Sequence, residues 1–88
     1  MTGTVVSTIT VRVLLFASYS DVLGRDSLEL TIEKPATVNE ALNRLRSLPG
    51  GERLPAKPLC AVNLRHVQPT TPLSAGDELA ILPPLAGG

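Results

Sequence analysis

Two glycines, Gly87 and Gly88, stand behind the run Leu82-Pro83-Pro84-Leu85-Ala86, and they raise the first chemical question of this sequence. Glycine carries no side-chain bulk and accepts backbone angles that other residues resist. Proline fixes φ and lacks an N–H, so Pro83-Pro84 holds the start of the segment extended and off any sheet. Fully stretched, residues 83–88 reach roughly 20 Å. Ala86, Gly87 and Gly88 are slim enough to pass a narrow channel. The pattern suits an arm that delivers a backbone carboxylate to a buried site on another protein.

Other residues with chemical potential are easier to explain without it. Cys60 sits in the apolar run Leu59-Cys60-Ala61-Val62, where a cysteine behaves as an inert small hydrophobe. His66 has no second histidine, cysteine or carboxylate at ligand spacing, so no metal site is expected. Gly50-Gly51 lacks the preceding strand and the following Lys-Ser or Lys-Thr of a phosphate loop, and reads as a helix stop. No acid–base pair or nucleophile triad can be assembled, so the chain is not expected to be an enzyme by itself.

The elements that would position such an arm follow from periodicity. From Thr8 to Ala17 the chain is rich in β-branched residues and alternates, with Ile9, Val11, Val13 and Leu15 on one face and Arg12, Leu14 and Phe16 on the other. Ser18 to Arg25 has room for a helical turn, stopped by Gly24. Ser27 to Ile32 alternates again, with Leu28, Leu30 and Ile32 inward. Thr37-Val38-Asn39-Glu40 has the form of a capping box. Val38, Ala41, Leu42, Leu45 and Leu48 then recur at helical spacing until Pro49-Gly50-Gly51. Residues 49–58 read as a loop. Leu59 to Asn63 is a short strand, Arg65 to Val67 a brief companion, and Glu78 to Leu82 the last strand. Pro69 and Pro72 exclude a long central strand between them.

The bulk properties set limits. Eighty-eight residues, 43% hydrophobic and 18% charged, make one small domain with a modest core. Residues 1–7 read as a loose lead-in and 83–88 as an extended functional tail. Eight basic residues balance eight acidic ones, which gives no electrostatic footprint for nucleic acid or an anionic membrane. Phe16 and Tyr19 are the only aromatics, so platforms for stacking bases are absent. No apolar run approaches the roughly 20 residues needed to span a bilayer. The first eight residues lack the charged start and apolar stretch of an export signal. A single cysteine fits a reducing cytoplasm. A cytoplasmic protein is expected.

Val11–Ala17 (VRVLLFA), Ala36–Leu42 (ATVNEAL), Ala61-Val62-Asn63, Pro72–Pro84 (PLSAGDELAILPP) and Gly87-Gly88 together resemble the small subunit of molybdopterin synthase, the MoaD-type sulfur-carrier family. The order of elements likewise resembles the α+β β-grasp, or ubiquitin-like, fold: a mixed sheet of four to five strands with one main helix packed on one face. The likeness runs from about Thr8 to Gly88. It implies that the Gly88 carboxylate, with Gly87 beside it, is adenylated by an E1-like activating enzyme that uses ATP and is then converted to a thiocarboxylate. The thiocarboxylate donates sulfur to cyclic pyranopterin monophosphate. The implied partners are that activating enzyme and the molybdopterin synthase large subunit, in a heterotetramer of two small and two large subunits. No bound cofactor is implied. Sulfur carriers for thiamine, cysteine or tRNA thiolation share the glycine end, as does a ubiquitin-like protein modifier.

A carrier of this kind needs a docking surface. If the helix covers the face of Val11, Val13, Leu28, Leu79 and Ile81, then Leu14, Phe16, Leu59, Ala61, Ala80 and Leu82 lie on the other. These six are expected to form a partner-binding patch, continued by Pro83, Pro84, Leu85 and Ala86. Coverage of the patch by the 49–58 loop is the alternative.

Overall fold

The computed structural model of the protein describes residues 7–84. Its elements run β1 (Thr8–Leu15), α1 (Ser18–Leu23), β2 (Ser27–Glu33), α2 (Val38–Arg46), a 3₁₀ turn (Gly51–Arg53), β3 (Leu59–Val62), β4 (Arg65–Val67) and β5 (Glu78–Leu82). The five strands form one mixed sheet in the order β2-β1-β5-β3-β4. β1 and β2 pair antiparallel, with Val11 opposite Leu30 and Val13 opposite Leu28. β5 returns parallel to β1, with Val13 opposite Leu79 and Leu15 opposite Ile81. β3 pairs antiparallel to both β5 and β4. This is the expected α+β sheet with one main helix on one face.

Alternation dictates the core. Ile9, Val11, Val13 and Leu15 of β1, Leu30 and Ile32 of β2, and Leu79 and Ile81 of β5 all turn toward the helix and are buried. Val38, Ala41, Leu42 and Leu45 of α2 meet them. Each large side chain among them stabilises the fold by about 1.5–3 kcal/mol on burial. Tyr19 of α1 and Leu54, just beyond the 3₁₀ turn, close the cluster at its margin.

The ends of α2 have local causes. The Thr37 hydroxyl accepts from the Glu40 N–H at 3.3 Å, one half of the expected capping box. Two more free N–H groups of the first turn donate to the connector before β5, Val38 to the Thr71 carbonyl and Asn39 to the Pro69 carbonyl, both at 2.9 Å. The helix therefore anchors a connector that the sequence presents only as a proline-punctuated stretch. It ends at Arg46 rather than at Pro49, because the Ser47 hydroxyl donates to the Arg44 carbonyl at 2.6 Å and Ser47 itself caps the last turn.

Gly50 and Gly51 do more than stop a helix. A Cβ on Gly50 would strike the Val22 carbonyl oxygen, and one on Gly51 would strike the Leu45 carbonyl oxygen. Gly50 also has φ +85°. The absence of side chains lets the 3₁₀ turn lie directly on α1 and the end of α2. The expected plain loop over 49–58 is thus a folded segment whose Leu54 enters the core, with the Arg46 Nε–H donating to the Leu54 carbonyl at 3.3 Å.

Candidate functional site

The sheet face turned away from the helices carries the candidate docking surface. Register builds it in rows. Glu29, Arg12 and Glu78 stand side by side across β2, β1 and β5. The next row is Ser27, Leu14, Ala80, Ala61 and His66, crossing all five strands. Beyond it, Leu82 pairs with Leu59. Phe16 follows Leu15, the partner of Ile81, and so stands level with Leu82 on the other side of β5. A charged row thus borders an apolar field, and the field lies at the end of β5 from which Pro83 departs.

Exposure separates the six residues expected to form this patch. Phe16 is 44% exposed and Leu59 is 42% exposed, while Leu14, Ala80 and Leu82 are half-buried among their neighbours. Ala61 is the exception, at 7% exposed, its small methyl group flanked across the strands by Ala80 and His66. It belongs to the floor of the face and offers a partner little area. The 49–58 segment does not cover the patch, since Leu54 carries it to the helical side. Pro83 is half-buried and Pro84 exposed. Leu85, Ala86, Gly87 and Gly88 lie outside the described residues.

Two features of this face were not foreseeable from types and spacing. A hollow of about 440 Å³ opens beside Phe16, lined by Arg12, Leu14, Ala17, Ser20 and Asp26 among others. Its position depends on cross-strand neighbours that a single sequence does not reveal. Ala17 has φ +52° and ψ −131°, a conformation that favours glycine, and the Tyr19 N–H closes the turn on the Phe16 carbonyl at 3.0 Å. The strain sits immediately beside the most exposed aromatic of the face.

At the opposite end of β5, an amide–carboxylate clamp sets the strand's start. The Asn63 Nδ2–H donates to the Asp77 Oδ1 at 3.0 Å, and the Glu78 N–H donates to the Asn63 Oδ1 at 3.0 Å. The Ser74 N–H donates to the Asp77 Oδ2 at 2.8 Å. The β3–β4 turn is thereby locked to the turn before β5. Both its central residues have positive φ, Asn63 at 50° and Leu64 at 72°, as a tight two-residue hairpin requires. These contacts bring Asn63 of the Ala-Val-Asn stretch against Asp77 and Glu78 of the Gly-Asp-Glu stretch.

Strands β3 and β4 place Cys60 and His66. Cys60 is buried in the core cluster, its Sγ–H directed at the Pro58 carbonyl at 3.6 Å. Desolvation by burial pushes its thiol pKa up to about 11, so little thiolate exists at neutral pH. His66 is exposed on the short edge strand β4. Among the described residues no three histidine, cysteine or acidic side chains gather as a metal site would need. No helix among them is long and apolar enough to cross a membrane.

A five-stranded mixed sheet with one main helix on one face, and with its central β5 leading to a Pro-Pro segment, defines a ubiquitin-like β-grasp domain. The model of the ThiS family matches residues 13–88, and the chain belongs to that family. It is 34% identical over 82 residues to the molybdopterin synthase sulfur carrier subunit of Escherichia coli (strain K12), covering 89% of this chain and 99% of that one. It is 30% identical over 83 residues to the subunit of the same name from Arabidopsis thaliana, covering 93% and 86% respectively. Among solved structures it resembles SAMP1 of Haloferax volcanii, with a TM-score of 0.76, 26% identity and coverage of 90% and 99%. It also shares the fold of a chain from the Helicobacter pylori complex of subunits 1 and 2 of molybdopterin-converting factor. There the TM-score is 0.66 and the identity 23%, over 91% of this chain and 100% of that one.

Proposed function

We propose that this chain is a sulfur carrier and the small subunit of a molybdopterin synthase. The observation that carries the reading is the apolar face of Leu14, Phe16, Leu59 and Leu82, uncovered by any described segment and placed where β5 leads into the tail. A partner docked on that face receives the tail at the rim of the contact. The names of the Escherichia coli and Arabidopsis relatives support the pathway. The two-subunit complex from Helicobacter pylori, one chain of which shares the fold, supports a large-subunit partner.

In this reading Gly88 is the reacting residue. Its carboxylate attacks the α-phosphate of ATP on an E1-like activating enzyme and expels pyrophosphate, giving an acyl-adenylate. A hydrosulfide equivalent then displaces AMP and leaves a thiocarboxylate. The thiocarboxylate enters the large subunit, where its sulfur displaces an oxygen from a carbon of cyclic pyranopterin monophosphate. Water then cleaves the acyl–sulfur bond and restores the Gly88 carboxylate. Gly87 keeps the approach slim, and Pro83 to Ala86 span the distance. The domain supplies docking and reach while its partners supply the catalytic groups.

Replacing Gly87 with valine tests the threading step, because a β-branched side chain adds bulk and restricts the backbone. Unfolding is expected to be unchanged, and sulfur transfer in a reconstituted synthase is expected to fall sharply. Wild-type transfer by the variant would contradict the arm. A second reading, conjugation through Gly88 to target lysines, is favoured by one observation, the likeness to SAMP1, a small archaeal modifier protein. Lysine-linked conjugates of this chain after incubation with its activating enzyme and ATP would support it.

A further inference from the structure

The two edges of the sheet are treated differently. β4 is three residues long, and Pro69 stands just beyond it. That edge offers little to pair with. β2 is seven residues long and contains no proline. Among the described residues it has a neighbouring strand on one side only.

Hydrogen bonds that bracket the β1–β2 ladder fix which groups of β2 are free. Leu15 N–H donates to the Asp26 carbonyl at 2.8 Å, and Lys34 N–H donates to the Ser7 carbonyl at 2.8 Å. In an antiparallel pair, inward and outward groups alternate residue by residue. Residues 26, 28, 30, 32 and 34 therefore turn their backbone groups toward β1. Ser27, Glu29, Thr31 and Glu33 turn theirs outward, and no backbone group among the described residues meets them.

Alongside this open edge runs a groove of about 460 Å³ between β2 and the end of α2. Four consecutive residues of β2, from Leu28 to Thr31, line it, so the strand's edge forms one wall. Leu23, Leu28 and Leu48, all half-buried against the core, give it an apolar floor. Arg25 and Arg44 are exposed on its walls. A strand added to β2 would turn alternate side chains onto that floor. Glu29 also borders the groove, in the row it shares with Arg12 and Glu78. Glu33 and Glu40 line an adjoining hollow with Arg44. Among the described residues, Arg25 and Arg44 are thus the cations of the groove and Glu29 its one acidic residue.

We infer that the β2 edge is a second docking site, separate from the tail and the apolar sheet face. It takes an extended segment of a partner protein as a sixth strand. The segment carries apolar side chains at alternate positions and acidic residues at both ends. Backbone pairing to Ser27, Glu29, Thr31 and Glu33 supplies affinity. The apolar floor sets register, and the two guanidinium groups select the acidic ends. The inference does not depend on the sulfur-carrier reading.

The probe is the capped peptide acetyl-Asp-Glu-Val-Thr-Val-Thr-Val-Asp-Glu-amide, titrated into the full chain and followed by amide NMR and hydrogen exchange. Exchange at the Glu29 and Thr31 amides is expected to slow about tenfold or more at saturation, with shifts at Leu28 and Leu48. Arg44→Glu is expected to weaken binding about tenfold, and a peptide with lysine in place of each acidic residue is expected to bind comparably weakly. Thr31→Pro removes one outward N–H at a position where an edge strand tolerates proline, and is expected to abolish pairing. Equal affinity for the acidic and lysine peptides would overturn the proposal, as would shifts confined to Leu14, Phe16 and Leu59. So would absence of binding, or protection of the same amides by self-association without peptide. Arg44 is exposed, so its variant keeps the test valid if Thr31→Pro fails to fold.

Discussion

Phe16 is 44% exposed, so its ring contributes less to the domain's own core than a fully buried aromatic ring would. Truncation of a fully buried Phe costs about 3–5 kcal/mol of folding stability, whereas an interface anchor costs upward of about 1 kcal/mol of binding. Phe16→Ala is expected to shift unfolding by less than about 1 kcal/mol and to weaken association with a molybdopterin synthase large subunit by more than that. Denaturant melts and a binding titration on the same variant check both halves. Its neighbour Ala17 holds φ +52° and ψ −131°, a conformation that costs a non-glycine residue about 1–3 kcal/mol. Glycine relieves the strain but adds about 0.4–1 kcal/mol of unfolded-chain entropy. Ala17→Gly is therefore expected to stabilise the domain by about 1 kcal/mol, read as a higher denaturation midpoint at unchanged slope. A loss of stability would show that the turn is not strained.

At the scale of elements, the Asn63–Asp77 clamp joins two turns that are far apart in sequence. Asn63→Ala removes both side-chain bonds, to Asp77 and from Glu78, and places a less tolerant residue at φ 50°. A loss of about 1–3 kcal/mol is expected, measured by thermal or denaturant unfolding. A change below about 0.5 kcal/mol would show that the clamp is incidental. The period-two pattern of β1 and β2 and the helical stripe of α2 were legible in the sequence, because each buries one face and alternation reports which. The strand order was not, because it depends on which edges meet. Leu54 also escaped notice, since one leucine among glycine, proline and charged residues has no periodicity. Its burial follows from the close approach that Gly50 and Gly51 permit. The apolar face was legible as a set of residues, but the burial of Ala61 between Ala80 and His66 depends on three-strand register.

For the whole molecule, the fold and the chemistry proposed for it are separable. Among the described residues the buried apolar side chains run from Ile9 to Leu79 and Ile81 of β5, and Gly88 has no side chain to contribute, so its removal takes away no core side chain. Unfolding of the shortened chain is expected to match the wild type within about 0.5 kcal/mol. The chemistry proposed for the chain resides wholly in the residue removed. The most direct test is intact-mass measurement after incubation with an E1-like activating enzyme, ATP and a sulfur donor, under conditions in which that enzyme loads a known carrier. The full chain is expected to gain the mass difference of one sulfur for one oxygen, localised to Gly88 by fragmentation, and the chain lacking Gly88 to gain nothing. An unchanged mass for the full chain, or the same gain in the shortened one, would contradict delivery of sulfur through Gly88.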